Sequence, residues 1–99
     1  MLSPDQPVRV AARLVHRIIG DEVFVLMFDS RIHWLKNPAA RTVWEGLVEA
    51  GGDGTTARRL ARRLEVEYEV GDTVALADTL AFLTSLLEKG LVDSTASGT

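Results

Sequence analysis

The chain has 99 residues, 46% of them apolar and 25% charged, with a net charge of −3 and no cysteine. That size fits one small domain, since folded domains hold roughly 50–200 residues, and it leaves little volume for a deep, walled active site. The missing cysteines exclude a disulfide framework, a thiolate nucleophile and a cysteine zinc site, and the acidic balance argues mildly against a general nucleic-acid binder, which carries a basic excess.

After Met1 the chain reads Leu-Ser-Pro-Asp-Gln-Pro, without the basic start and apolar run of a secretory signal. No stretch approaches the roughly 20 apolar residues that cross a bilayer. Together these predict a cytoplasmic protein with no membrane contact. Residues 1–7 and 93–99 are expected to be flexible termini around a domain spanning 8–92.

From Leu14 the pattern is that of strands: Leu14 to Ile19, Glu22 to Phe28 and Arg31 to Leu35, all rich in β-branched and aromatic residues. Gly20-Asp21 suits a two-residue hairpin turn whose first position needs positive φ. Asp29-Ser30 is a weaker turn that fits a slightly longer loop. The result is a three-stranded antiparallel meander. In its middle strand Val23, Val25 and Met27 face one way and Phe24, Leu26 and Phe28 the other. A sheet with one wet face alternates apolar with polar, so a helix, another subunit or a ligand must cover the second face.

The corner "HWLKNPAARTVW" predicts a strand feeding directly into a capped helix. Asn37 accepts from the first free amides and Pro38 occupies the first helical position, where its missing N–H is not needed. Val43, Trp44, Leu47 and Val48 fall on one stripe, Arg41 lies four residues before Glu45, and Gly51-Gly52-Asp53-Gly54 ends the helix. Trp44 is expected in the core, whereas Trp34 fits either the core beside Ile32 or an aromatic anchor at a groove.

A second helix starts at about Thr56, with Ala57, Leu60, Ala61 and Leu64 inward and Arg58, Arg59, Arg62 and Arg63 outward. A third, capped by Asp72, runs to Lys89 and stops at Gly90 in a left-handed conformation, with Leu91 or Val92 folding back. Two adjacent stripes, Leu76/Leu80/Leu83/Leu87 and Ala75/Thr79/Phe82/Leu86, make about half its circumference apolar. A surface helix needs a stripe only about 100° wide, so apolar surface is left over.

No catalytic motif is present. His16 and His33 lack a nearby serine or cysteine partner in sequence, and metal binding by the pair is unsupported by spacing. Gly51-Gly52-Asp53-Gly54 lacks the Lys-Ser/Thr and preceding strand of a phosphate loop. Glu65, Glu67, Glu69 and Asp72 do not match a calcium-loop pattern. The Arg58, Arg59, Arg62 and Arg63 face is the most tempting functional signal: four arginines can hold phosphates or an acidic partner, although a charged outer face is the default for an amphipathic helix.

Three segments carry a resemblance to a known family: "WLKNPAARTVW", "TTARRLARRLEVEYEV" and "LADTLAFLTSLLEKGLV". The sequence resembles the PqqD-like family of peptide-recognition domains, which serve the making of ribosomally synthesised, post-translationally modified peptides. Asp78, Phe82, Leu83, Leu86, Gly90 and Leu91 fall in the family's register, while Lys36 stands where the family usually has leucine.

The resemblance implies an α+β fold of winged helix-turn-helix type, a three-stranded antiparallel meander followed by three helices. It also implies a noncatalytic adaptor without cofactor that captures a precursor's leader peptide by strand addition and presents it to a modifying enzyme, often a radical SAM protein. Carried over, the strand is Arg31, Ile32, His33, Trp34, Leu35 and Lys36, and the wall is the third helix, through Leu76, Thr79, Leu80, Leu83 and Leu87. The alternative is a winged-helix nucleic-acid binder using Arg58, Arg59, Arg62 and Arg63; a third reading is a homodimer formed through the free sheet edge.

Overall fold

A computed structural model describes residues 2–12, 14–27 and 29–94. The predicted order holds: β2 (Leu14–Ile19), β3 (Glu22–Met27) and β4 (Ile32–Leu35) form an antiparallel sheet of order β2-β3-β4, followed by α1 (Pro38–Ala50), α2 (Ala57–Tyr68) and α3 (Asp72–Glu88). This is the α+β, winged helix-turn-helix-like arrangement expected.

Two short strands were not foreseen. β1 (Val8–Val10) pairs antiparallel with β5 (Val92–Ser94), and Val8 also exchanges backbone bonds with Thr55 at 2.7 and 2.8 Å. Three-residue strands carry too little periodicity to be read from sequence. Their registration comes from burial, with Val8, Leu91 and Val92 all at 1% exposure or less. Residues 2–7, expected as a loose lead-in, carry contacts: Leu2 is buried, Asp5 pairs with Arg58 at 2.9 Å and the Gln6 amide donates to the Ser94 hydroxyl. Of the expected flexible tail, Asp93 and Ser94 belong to β5, and 95–99 lie outside the described residues.

The turns follow their chemistry. Gly20 sits at φ 61, which a residue with a Cβ adopts only at a cost. At the second turn Met27 N–H donates to Arg31 O and Ser30 N–H to Met27 O, with Ser30 left-handed at φ 73: a three-residue loop, longer than the first. The Asp29 carboxylate accepts from the Arg31 amide and guanidinium at 3.1 and 2.7 Å. These contacts hold the carboxyl below its ordinary range, the backbone bond first.

Asn37 Oδ1 accepts from Ala39 N–H at 2.8 Å with Pro38 behind it, so the strand-to-helix corner is the predicted cap. At α3 the cap falls one residue earlier than expected. Gly71 is the N-cap, and Asp72, inside the first turn, accepts from Thr73 N–H at 2.7 Å instead. Gly90 ends α3 at φ 78, with Leu91 N–H donating to Leu86 O and Gly90 N–H to Leu87 O. That pattern is a Schellman motif, closed by burial of both Leu86 and Leu91.

The core lies between the inner sheet face, the three helices and the β1–β5 pair. It contains Val23, Val25, Leu35, Val43, Trp44, Leu47, Leu60, Leu64, Leu83 and Leu86. Val48, placed on the α1 stripe by periodicity, is 38% exposed and lies at its edge. Where α1 crosses α2 the helices meet at Gly46. A Cβ there would come within 2.5 Å of Leu60 Cδ2.

Candidate functional site: a free strand edge beside a cleft

β4 is an outer strand of its sheet, and no other described element pairs with it. Its bonded register follows from the Met27–Arg31 bond. Antiparallel pairs alternate between bonded and non-bonded, so His33 and Leu35 bond to β3, while Ile32 and Trp34 turn their backbone groups to the free edge. An edge with unmatched N–H and C=O groups is a template for another strand.

Two surfaces flank that edge. On the outer side lies the second apolar face expected from the middle strand, and no helix among the described residues covers it. Val15, Leu26 and Ile32 form one cross-strand row, 68%, 45% and 68% exposed, and Arg17, Phe24 and Trp34 form the next. Phe28, assigned to the same face from sequence, lies outside the described residues. Trp34 belongs to this outer face and not to the core. Its ring stacks on Phe24 at 5.4 Å, and the Lys36 ammonium sits 3.8 Å from its centroid.

On the inner side, just past the end of β4, opens a cleft of about 320 Å³. Asn37, Ala39 and Val43 of the corner and α1 form one wall; Asp78, Ala81 and Phe82 of α3 form the other. The cleft thus begins at the corner two residues beyond β4 and is bounded by the third helix, with no β4 side chain in its lining.

The wall residues carried over from the resemblance occupy different places. Thr79 lines this cleft, but its hydroxyl already donates to Ala75 O at 2.7 Å. Leu83 is fully buried in the core. Leu76 and Leu80 line a second, broader cleft of about 710 Å³ between α2 and α3, together with Arg58 and Arg62, and Leu87 is 37% exposed. Residues of a single apolar stripe thus meet different neighbours. On its α3 side the cleft next to β4 is walled by Asp78, Thr79, Ala81 and Phe82, of which periodicity had singled out Thr79 and Phe82.

Along the strand, Arg31 is held by Asp29, Ile32 and Trp34 face outward, His33 and Leu35 inward, and Lys36 caps the outer side. His33 Nε2 is buried without a hydrogen-bond partner among the described residues, as is Trp44 Nε1. His16 meets Trp44 edge-on at 5.6 Å. Among the described residues no three His, Asp or Glu side chains gather at metal-binding distance.

The arginine face is partly neutralised from within. Arg58 pairs with Asp5, and Arg63 grips Glu49 through two bonds of 2.9 and 3.2 Å. These bonds hold the Asp5 and Glu49 carboxyls below their ordinary range. Only Arg59 and Arg62 remain without an ion pair among the described residues. In a chain of net charge −3 this does not favour the nucleic-acid alternative.

Residues 22–92, more than half of the chain, match the family model described as coenzyme PQQ synthesis protein D (PqqD). The chain belongs to the PqqD family. A search of the curated proteins gave no match. Among solved structures, the chain is similar to one described as "TbiB1 in Complex with the TbiA(beta) Leader Peptide", at 22% identity and a TM-score of 0.77, covering 90% of this chain and 99% of that one. It is also similar to "Lasso peptide synthetase B1 complexed with the leader peptide", at 26% identity and a TM-score of 0.71, covering 88% and 98%. The family match begins at Glu22, and the fold-level likeness, at 88–90% of the chain, extends into the residues before it.

Proposed function

We propose that this PqqD-family chain is a noncatalytic adaptor that captures the leader of a ribosomally made precursor peptide as an added strand on β4 and presents it to a peptide-modifying enzyme. The observation that carries this is the free backbone edge of Ile32 and Trp34, with the α3 cleft opening at the corner just beyond it. The two solved relatives, each described as a complex with a leader peptide, support the same reading. The partner in the proposal is a peptide-modifying enzyme, for which the radical SAM class is one candidate, and the proposed place of work is the cytoplasm. Separately, no described helix is long and apolar enough to cross a membrane.

Backbone bonding alone does not hold such a peptide. Ordering each residue costs about 1–2 kcal/mol, while a net backbone bond returns roughly 0.5–1.5 kcal/mol. Side chains must supply the difference. Alternate leader residues would meet the Val43–Phe82 cleft on one side and the Ile32–Trp34 surface on the other. Two or three such burials, at about 1.5–3 kcal/mol each, bring affinity near the micromolar level, about −8 kcal/mol.

The test is calorimetric titration with leader segments of short precursors encoded beside the gene. Micromolar binding to the wild type is expected, with at least a tenfold loss in Ile32→Pro, which removes an outward N–H and no ladder bond. Full binding by a folded Ile32→Pro protein would move the site off β4. Self-pairing of the same edge would instead appear as concentration-dependent sedimentation without peptide.

A further inference from the structure

Lys36 and Asp78 flank the corner at the end of β4, Lys36 on the Trp34 side and Asp78 on the cleft side. Lys36 continues the outward series Ile32, Trp34, Lys36, and its ammonium is positioned over the Trp34 ring at 3.8 Å. Asp78 lies on the α3 wall of the inner cleft, facing Asn37, Ala39 and Val43. Neither side chain has an ion-pair partner among the described residues, although Glu22 lies across from Lys36 one step beyond the Val23–Leu35 pair. The other cations near this corner are engaged: Arg31 with Asp29, and Arg41 with Asp21 and Glu45.

A strand added to β4 sends successive side chains alternately to the two faces. Resting on the strand-addition reading, we infer that Lys36 and Asp78 set the charge pattern of the captured peptide: an acidic residue facing out beside Lys36 and a basic residue facing the cleft beside Asp78. Because the two point to opposite faces, they stand an odd number of positions apart in the peptide. The charges thus select register as well as partner, since a one-residue slip would bring each peptide charge to the wrong face. Charge at the rim of an apolar site contributes chiefly to choice among partners.

Selection from a phage-displayed library of random 12-residue peptides against the wild-type protein tests this. Peptides whose binding is lost in Ile32→Pro are kept as edge binders. They should carry an acid and a base at odd separation. Lys36→Glu and Asp78→Lys should each weaken a selected peptide about 3–10-fold at low salt, with the effect shrinking as salt rises. The double variant should prefer the same peptide with its acid and base exchanged. Both positions are exposed, so circular dichroism of the variants should match the wild type. Edge binders without charge preference, or unchanged affinities in both single variants, would overturn the inference while leaving strand addition standing. A selection in which no binder depends on Ile32 would overturn both.

Discussion

The two tryptophans, ten residues apart, have opposite fates. Trp44 has no exposed surface and Trp34 is 50% exposed, stacked on Phe24 beneath the Lys36 ammonium. Iodide, drawn by that cation, should quench wild-type emission and lose most of its effect in Trp34→Phe, leaving the protected, blue-shifted signal of Trp44. Strong quenching surviving in Trp34→Phe would mean that Trp44 is exposed. Gly46 offers a second check at this scale. Alanine gains about 1 kcal/mol in helix propensity, but its methyl would meet the buried Leu60 side chain at 2.5 Å, and overpacking costs typically 1–3 kcal/mol. Urea unfolding of Gly46→Ala should therefore show a net loss of about 1 kcal/mol; a gain would indicate that Leu60 moves aside freely.

Among the elements, β4 carries the proposed capture edge. It bonds to β3 through His33 and Leu35, so proline is predicted to act differently at neighbouring positions. Ile32→Pro should retain a cooperative thermal transition and lose peptide capture. His33→Pro removes a ladder donor and should lower the melting temperature markedly. Equal destabilisation by the two would show that the bonded register is shifted by one residue. The outer sheet face is continuous with this edge, and an added strand would extend its exposed apolar rows.

At the scale of the whole molecule, the ends of the described chain are tied together. β1 pairs with β5, Val8 bonds to Thr55 ahead of α2, and Asp5 reaches Arg58. Three exposed carboxylates, Asp5, Asp29 and Glu49, have pKa values lowered by arginine contacts, so each favours the folded state in its charged form. A lowered folded pKa contributes stability that is complete above the ordinary values of 3.8 for Asp and 4.5 for Glu, and that is lost as pH falls through the lowered values. Melting temperature should accordingly fall on acidification below that range. The fall should be shallower in Asp5→Asn and Glu49→Gln, and weaker in high salt because all three carboxylates are exposed. A steeper acid dependence in those variants would contradict the pairing.

Much of this architecture is legible in sequence because local rules agree with one another. β-branched runs separated by Gly20-Asp21 specify the hairpin, Asn37-Pro38 starts α1, α2 begins at about Thr56, and Gly90 ends α3 with Leu91 folded back. The doubly apolar β3 also announced a second apolar sheet face, but that no described helix covers it is visible only in the structure. Periodicity, however, reports only which positions are apolar, not which neighbour each stripe meets. Leu83 went to the core, Leu76 and Leu80 to the α2 side, and Asp78 and Phe82 to the cleft beside β4. The orientation of Trp34, the β1–β5 pair and the pairing of Arg58 with Asp5 were decided by contacts between residues far apart in the chain. Local chemistry thus determined the three-stranded sheet, the three helices and their order. Only tertiary packing chose which apolar surfaces were buried and which remained beside the unmatched amides of β4, because that choice depends on how the helices cross.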